Sequence, residues 1–281
     1  MKSLVFCLLL VIGVQGIELI CNYITVDWKD GAYICDAVNF TATKRYLEVD
    51  SLHGEHIENK TNFDVTAIRI DSQTAEYMPW GFDKFFPNMT DYAIIESKLE
   101  KIQRSDLENL TFLKVLSLND NEINQLLADT FDDMTNLEYL SLSKNKIKEL
   151  PDNVFRALTN LQGLYIDSNE LSEISFKVLE NNTMLKELAL NNNQLEYINS
   201  EIFGHLVNLE YVNLSSNKCI GIFITSIKHF GSARIKEILK LNCNNVEKKF
   251  EQCKEDYEKL RFHYNLLLLE EKNRKYKSDA G

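Results

Sequence analysis

Side chains capable of acid–base, nucleophilic or metal chemistry occur throughout this chain, but they do not cluster. The five histidines, His53, His56, His205, His229 and His263, are scattered. Only His53 and His56 lie close, three residues apart beside Glu55 and Glu58. That spacing could hold a metal ion, yet a solvated polar cap is the simpler reading. The chain has no CxxC pair, no GxG turn, and neither a GxSxG nor a HExxH segment. It therefore lacks the thiolate pairs, phosphate cradles and activated nucleophiles that such motifs supply. We expect no enzyme, no cofactor and no metal. The remaining chemistry is recognition through apolar, aromatic and carboxylate side chains, and the elements that present them decide its form.

The chain has 281 residues, with 31 Lys+Arg against 42 Asp+Glu and a formal charge of −11. Apolar residues make up 44% and charged residues 26%, a globular balance. The acidic excess argues against nucleic acid as a partner. Residues 1–16, MKSLVFCLLLVIGVQG, read as a secretory signal peptide: Lys2, then Leu4 to Val14, then a small-residue cleavage site. No other apolar stretch is long enough to span a membrane, so the mature chain is expected to be extracellular. Secretion makes the sequons at Asn39, Asn59, Asn88, Asn109, Asn181 and Asn213 candidate glycosylation sites.

The dominant signal is a repeat. LKVLSLNDNEI begins at Leu113, LEYLSLSKNKI at Leu137, LQGLYIDSNEL at Leu161, LKELALNNNQL at Leu185 and LEYVNLSSNKC at Leu209, so the starts advance by 24 each time. Weaker frames at Met89 and Val65 make seven. Alternating apolar residues point one strand face inward, and stacked coils bury a continuous column. Asn121, Asn145, Asn169, Asn193 and Asn217 fall where the chain must leave the strand. Their amides are expected to satisfy turn backbone groups and to form no site. Seven strands would stack over about 30 Å.

This pattern, LxxLxLxxNxL with a variable second half, resembles the leucine-rich repeat. The expected fold is an α/β solenoid: a leucine-rich repeat horseshoe with a parallel concave sheet, cysteine-closed caps and a C-terminal helix. The expected order is signal peptide 1–16, N-terminal cysteine cap 17–64, repeats 65–218, C-terminal cysteine cap 219–245, short coiled-coil helix 246–272 and polar tail 273–281. CNYITVDW-KDG-AYIC reads as a hairpin turning at Asp30-Gly31, which Cys21 and Cys35 would close. Such a loop is worth roughly 3 kcal/mol in the chain-entropy model. Cys219 and Cys243 would form the second bridge, although five mature cysteines allow other pairings.

The tail changes period. Val246, Phe250, Cys253, Tyr257, Leu260, Tyr264 and Leu267 form an a/d seam of about three heptads. The helix could fold back on the last coil or pair with a second chain. Cys253, the odd cysteine, favours an interchain disulfide across the seam; a free thiol or another intrachain pairing are the alternatives.

Residues between the leucines should face outward from the sheet. Among them Ile95, Val115, Tyr139, Tyr165 and Tyr211 form an apolar, aromatic stripe that folding does not require. With Asp91, Asn119, Asp167 and Glu187 they are the candidate ligand-binding residues. Strand preference for Tyr and Val is the plain alternative. A glycan on Asn213 would push binding toward the earlier coils.

The order of cap, coils and coil helix is similar to that of insect secreted leucine-rich repeat proteins, especially the mosquito leucine-rich immune proteins. The resemblance implies disulfide-linked chains in haemolymph that hold a complement-like thioester protein. The helix here is short and no adjacent Cys-Cys pair precedes it, so a short-coil or coil-less relative is the nearer comparison. The expected function is binding of a protein or microbial ligand on the concave face in insect innate immunity. The alternative is a matrix or cell-surface adhesion component.

Overall fold

The computed structural model describes residues 15–26, 31–219 and 223–225. Most of the signal segment, Cys243, the 246–272 seam with Cys253, and the polar tail lie outside the described residues. Among the described residues no helix is long and apolar enough to cross a membrane.

Among the described residues fifteen strands occur, in chain order: β1 (Gln15–Val26), β2 (Ala32–Ala37), β3 (Thr41–Ala42), β4 (Leu47–His53), β5 (Ala67–Asp71), β6 (Thr74–Ala75), β7 (Asp91–Ile95), β8 (Val115–Ser117), β9 (Tyr139–Ser141), β10 (Gly163–Tyr165), β11 (Glu173–Ile174), β12 (Glu187–Ala189), β13 (Tyr197–Ile198), β14 (Tyr211–Asn213) and β15 (Phe223–Thr225). Eleven form one sheet in the order β15-β14-β12-β10-β9-β8-β7-β5-β2-β1-β4. From β2 to β14 every neighbouring pair is parallel. The seven repeat strands pair at one constant shift, with Ile68 opposite Tyr92 and Leu116 opposite Leu140. This is a solenoid of stacked coils, with the period in sequence equal to the register in space.

The inward row Cys35, Ile68, Tyr92, Leu116, Leu140, Leu164, Leu188 and Val212 is buried to 1% exposure or less throughout. Each such side chain removed from water contributes roughly 1.5–3 kcal/mol. Tyr92 stands where its neighbours carry Leu or Ile. Its hydroxyl donates to the Pro79 carbonyl at 3.2 Å, and burial pushes it well above the usual phenol range.

The parallel ladder begins one strand earlier than the repeat frames imply. β2 joins β5 with Cys35 opposite Ile68, a longer step than the repeat's own, so no fixed period could reveal it. The expected hairpin is present: β1 and β2 are antiparallel, with Val26 opposite Ala32. Cys21 and Cys35 are joined, their Cα atoms 5.0 Å apart. β1 also pairs with β4, and that outer strand is itself covered where Val49 N–H donates to the Trp80 carbonyl and Trp80 N–H to that of Leu47. An edge paired in this way is blunted against further strand addition. At the other end β15 closes antiparallel on β14, and Cys219 is disulfide-bonded.

Helix is scarce among the described residues, and the expected C-terminal helix lies outside them. The described returning halves are turns, short 3-10 segments, the paired two-residue strands β11 and β13, and one four-residue α-helix, α1 (Arg104–Leu107). Beyond the eleven-residue strand segment each coil has thirteen residues to cross the molecule and return. A 3-10 turn advances about 2.0 Å per residue against about 1.5 Å for an α-helix, so short coils favour it.

Every repeat strand leaves the sheet through a residue in the left-handed region. Ser72, Glu96, Asp120, Lys144, Ser168, Asn192 and Ser216 have φ between 49 and 57°. None is glycine, so each carries a backbone cost. The following residue offsets it. Asn145 Oδ1 accepts from Ile123 N–H at 3.0 Å, while its Nδ2 donates to the Leu118 and Leu142 carbonyls at 2.9 and 3.0 Å. Asn121, Asn169, Asn193 and Asn217 repeat the arrangement.

Candidate functional site

Two outward rows cross the sheet opposite the leucine column. One runs Ile34, Ala67, Asp91, Val115, Tyr139, Gly163, Glu187 and Tyr211. The other runs Asp36, Arg69, Ala93, Ser117, Ser141, Tyr165, Ala189 and Asn213. A third position per coil adds Asp71, Ile95, Asn119, Ser143, Asp167, Asn191 and Ser215. Large rings alternate with Gly, Ala and Ser, so the wall is pitted.

Two hollows result. The upstream one, about 460 Å³, is lined by Ala67, Ala93, Ile95, Val115, Tyr139 and Tyr165 among others. The downstream one, about 430 Å³, is lined by Tyr165, Asp167, Glu187, Ala189, Asn191 and Tyr211. Tyr165 belongs to both. Gly163 is required between them, because a Cβ there would come within 2.6 Å of the Tyr139 ring. The tyrosine thus lies over bare backbone.

Polar groups on this face are held in place. The Tyr165 hydroxyl donates to the Glu187 carboxylate, and burial first, then that carboxylate, push the phenol upward in pKa. Ser143 and Ser168 hydroxyls both donate to Asp167. The Ser141 hydroxyl donates to Asn119 Oδ1. Arg69 forms a two-pronged pair with Asp36 at 2.8 Å per bond, which raises the guanidinium pKa.

Of the nine candidate ligand-binding residues, Asp91, Ile95, Val115, Tyr139 and Tyr165 line the upstream hollow, and Tyr165, Asp167, Glu187 and Tyr211 the downstream one. Asp91 is only 4% exposed and accepts a hydrogen bond from Thr90, so its carboxylate is recessed. Asn119 lines neither hollow and instead orients Ser141. Gly163 and Ala189 were not singled out by residue type; the signal for them is the small residue standing beside a ring in the next coil. His53 and His56 separate: His53 pairs with Glu18 at 2.9 Å, and His56 sits between the Tyr33 hydroxyl and Asn62. Among the described residues no three His, Cys, Asp or Glu side chains converge as metal ligands would.

Five sequon asparagines, Asn39, Asn59, Asn88, Asn109 and Asn181, are exposed. Asn213 is half-buried at the downstream end of the second row, where its Oδ1 accepts from Ser215 N–H and hydroxyl at 3.1 and 2.7 Å.

Stacked coils with a parallel ladder from β2 to β14, an asparagine ladder and a pitted outward wall define a repeat solenoid. The family model described as Leucine rich repeat matches residues 95–147, 111–171, 135–195 and 159–219. Together with the fold, these matches support a leucine-rich repeat protein. No curated protein matches this chain. Among solved structures it is similar to TLR13 in the crystal structure of the TLR13-ssRNA13 complex, with 24% identity and a TM-score of 0.51, covering 61% of this chain and 25% of that one. An internalin (inlF) from Listeria monocytogenes has 25% identity and a TM-score of 0.45, covering 66% and 51%. The glycosylated Toll–Spatzle complex of Drosophila has 24% identity and a TM-score of 0.47, covering 61% and 27%. The chain spans a quarter of the length of the TLR13 chain it matches, and the likeness concerns the fold alone.

Proposed function

We propose that this is a secreted leucine-rich repeat recognition protein that binds a protein or microbial ligand on the outward, concave face of its sheet, and that it acts in insect innate immunity. The observation that carries the reading is the upstream hollow. Ile95, Val115 and Tyr139 play no part in the leucine column, yet they line one continuous apolar depression. Apolar surface gathered in this way, with tyrosines at its wall, suits a protein contact. The face is acidic, which suits no polyanion.

Secretion is supported by the signal-like segment 1–16, by the Cys21–Cys35 bridge and by the exposed sequons. A disulfide-linked dimer through Cys253 and a complement-like partner belong to the same proposal and rest on the sequence. Gel migration of the secreted chain with and without reductant tests the dimer, and a monomer in both lanes rejects it. Cross-linking mass spectrometry on native body fluid tests the partner. Links radiating from the outward rows support the reading; links confined to the returning halves refute it. Induction by infection separates an immune role from constant deposition in matrix.

A further inference from the structure

The two hollows differ in chemistry, and together they specify an occupant. Resting on the reading that the outward face is the binding face, we infer that it takes an extended segment of a partner protein that is both apolar and basic. An apolar side chain enters the upstream hollow. A Lys or Arg enters between Tyr165 and Tyr211, against Glu187 and Asp167.

Charge complementarity selects this occupant. The outward positions of the seven repeat strands carry Asp71, Asp91, Asp167 and Glu187 against a single basic residue, Arg69. Arg69 is already engaged by Asp36. Among the described residues no ion pair involves Asp167 or Glu187. Lys144, on the turn beyond Ser143, gives its ammonium to Asp120 at 2.7 Å and feels Asp167 only as a weaker influence.

The downstream hollow is also shaped for a cation. Glu187 is fixed by the Tyr165 hydroxyl and Asp167 by two serine hydroxyls. A carboxylate has about four acceptor sites, so these bonds orient both groups and leave lone pairs over. Ala189, opposite Tyr165 on the next strand, leaves the floor between the rings open. An ammonium or guanidinium there meets aromatic faces as well as carboxylates.

The spacing sets the ligand's pattern. From β8, which carries Val115, to β12, which carries Glu187, the sheet takes three strand steps. At about 4.8 Å per step this is roughly 14 Å. An extended peptide covers that in about four residues.

The test is selection of random seven-residue peptides displayed on phage against the immobilised full-length secreted chain. Enrichment of peptides with a Lys or Arg about four positions from an apolar residue is expected. Those peptides should bind Asp167→Asn/Glu187→Gln about tenfold more weakly. Glu187→Gln keeps an oxygen for the Tyr165 hydroxyl; in Asp167→Asn the amide oxygen can still accept from Ser143 while the amide nitrogen donates to the Ser168 hydroxyl, so folding survives. Arg104→Gln, away from the face, should bind as the parent does. No enrichment, or basic peptides that bind the double variant equally well, overturns the inference. Peptides without a basic residue that are lost with Tyr139→Ala overturn it while leaving the binding face standing. Peptides indifferent to every one of these outward substitutions overturn both.

Discussion

Strand β10 presents two kinds of surface within three residues. Its inward Leu164 continues a row of eight side chains that keeps almost no exposure from Cys35 to Val212, and all but Cys35 and Tyr92 are branched aliphatics. Its outward Gly163 and Tyr165 follow no period: the positions beside them in the row are Tyr139 and Glu187, Ser141 and Ala189. The inner wall is constrained because each coil must match the one before and after it. The outer wall carries no such constraint, so its composition is available for a partner. On the function proposed above, stability and recognition fall to opposite faces of the same strands.

That division predicts a graded series of effects. The largest belongs to the inner row. Leu140→Ala should lower unfolding free energy by about 2–5 kcal/mol, because neighbours above and below hold the cavity open; denaturant titration measures it. Next is the ladder. Asn145→Ala should cost about 1–3 kcal/mol, since Ile123 N–H would be left buried and unpaired. A loss under a few tenths would show that water replaces the amide and that the ladder is not structural.

Smaller, and opposite in sign, is the change at Asn182. This side chain occupies the column of Leu110, Met134, Leu158 and Leu206, fully buried. Its amide donates to the Phe155 and Leu158 carbonyls, but both already accept backbone bonds, and among the described residues its own carbonyl oxygen has no partner. Asn182→Leu should therefore be neutral or stabilising by up to about 1 kcal/mol, with the Asn181 sequon intact. The smallest stability effect belongs to the outer wall. Tyr139→Ala with Tyr165→Ala should shift unfolding by about 1 kcal/mol or less, yet weaken partner capture several-fold. A large loss of stability would mean that the stripe belongs to the core after all.

The inner wall was readable from the sequence because it is periodic. The seven frames and the asparagine ladder appear in the structure at the residues the spacing indicated. What broke the period was not readable. β2 enters the ladder beside β5 at a step that matches no repeat frame. Gln73 and Ser97 stand at ladder positions without being asparagine, and they still bond turn backbone of their own coils. The left-handed residues carry no glycine to announce them. A second ladder, in which Asn136, Asn160 and Asn208 each donate to a carbonyl of the preceding coil at 2.9 Å, lies in the half that looked variable. The hollows escaped for a different reason: they depend on which small residue faces which ring across strands, and that needs the register first.

The most direct measurement of the account places a photo-cross-linking amino acid at Tyr139 in one secreted chain and at Val207 in another. Val207 is 80% exposed in a returning half, so it samples the opposite kind of surface. Irradiation in native body fluid should give an intermolecular product from position 139 and none from 207. Products from 207 with none from 139 would contradict the assignment of recognition to the outward wall of the sheet.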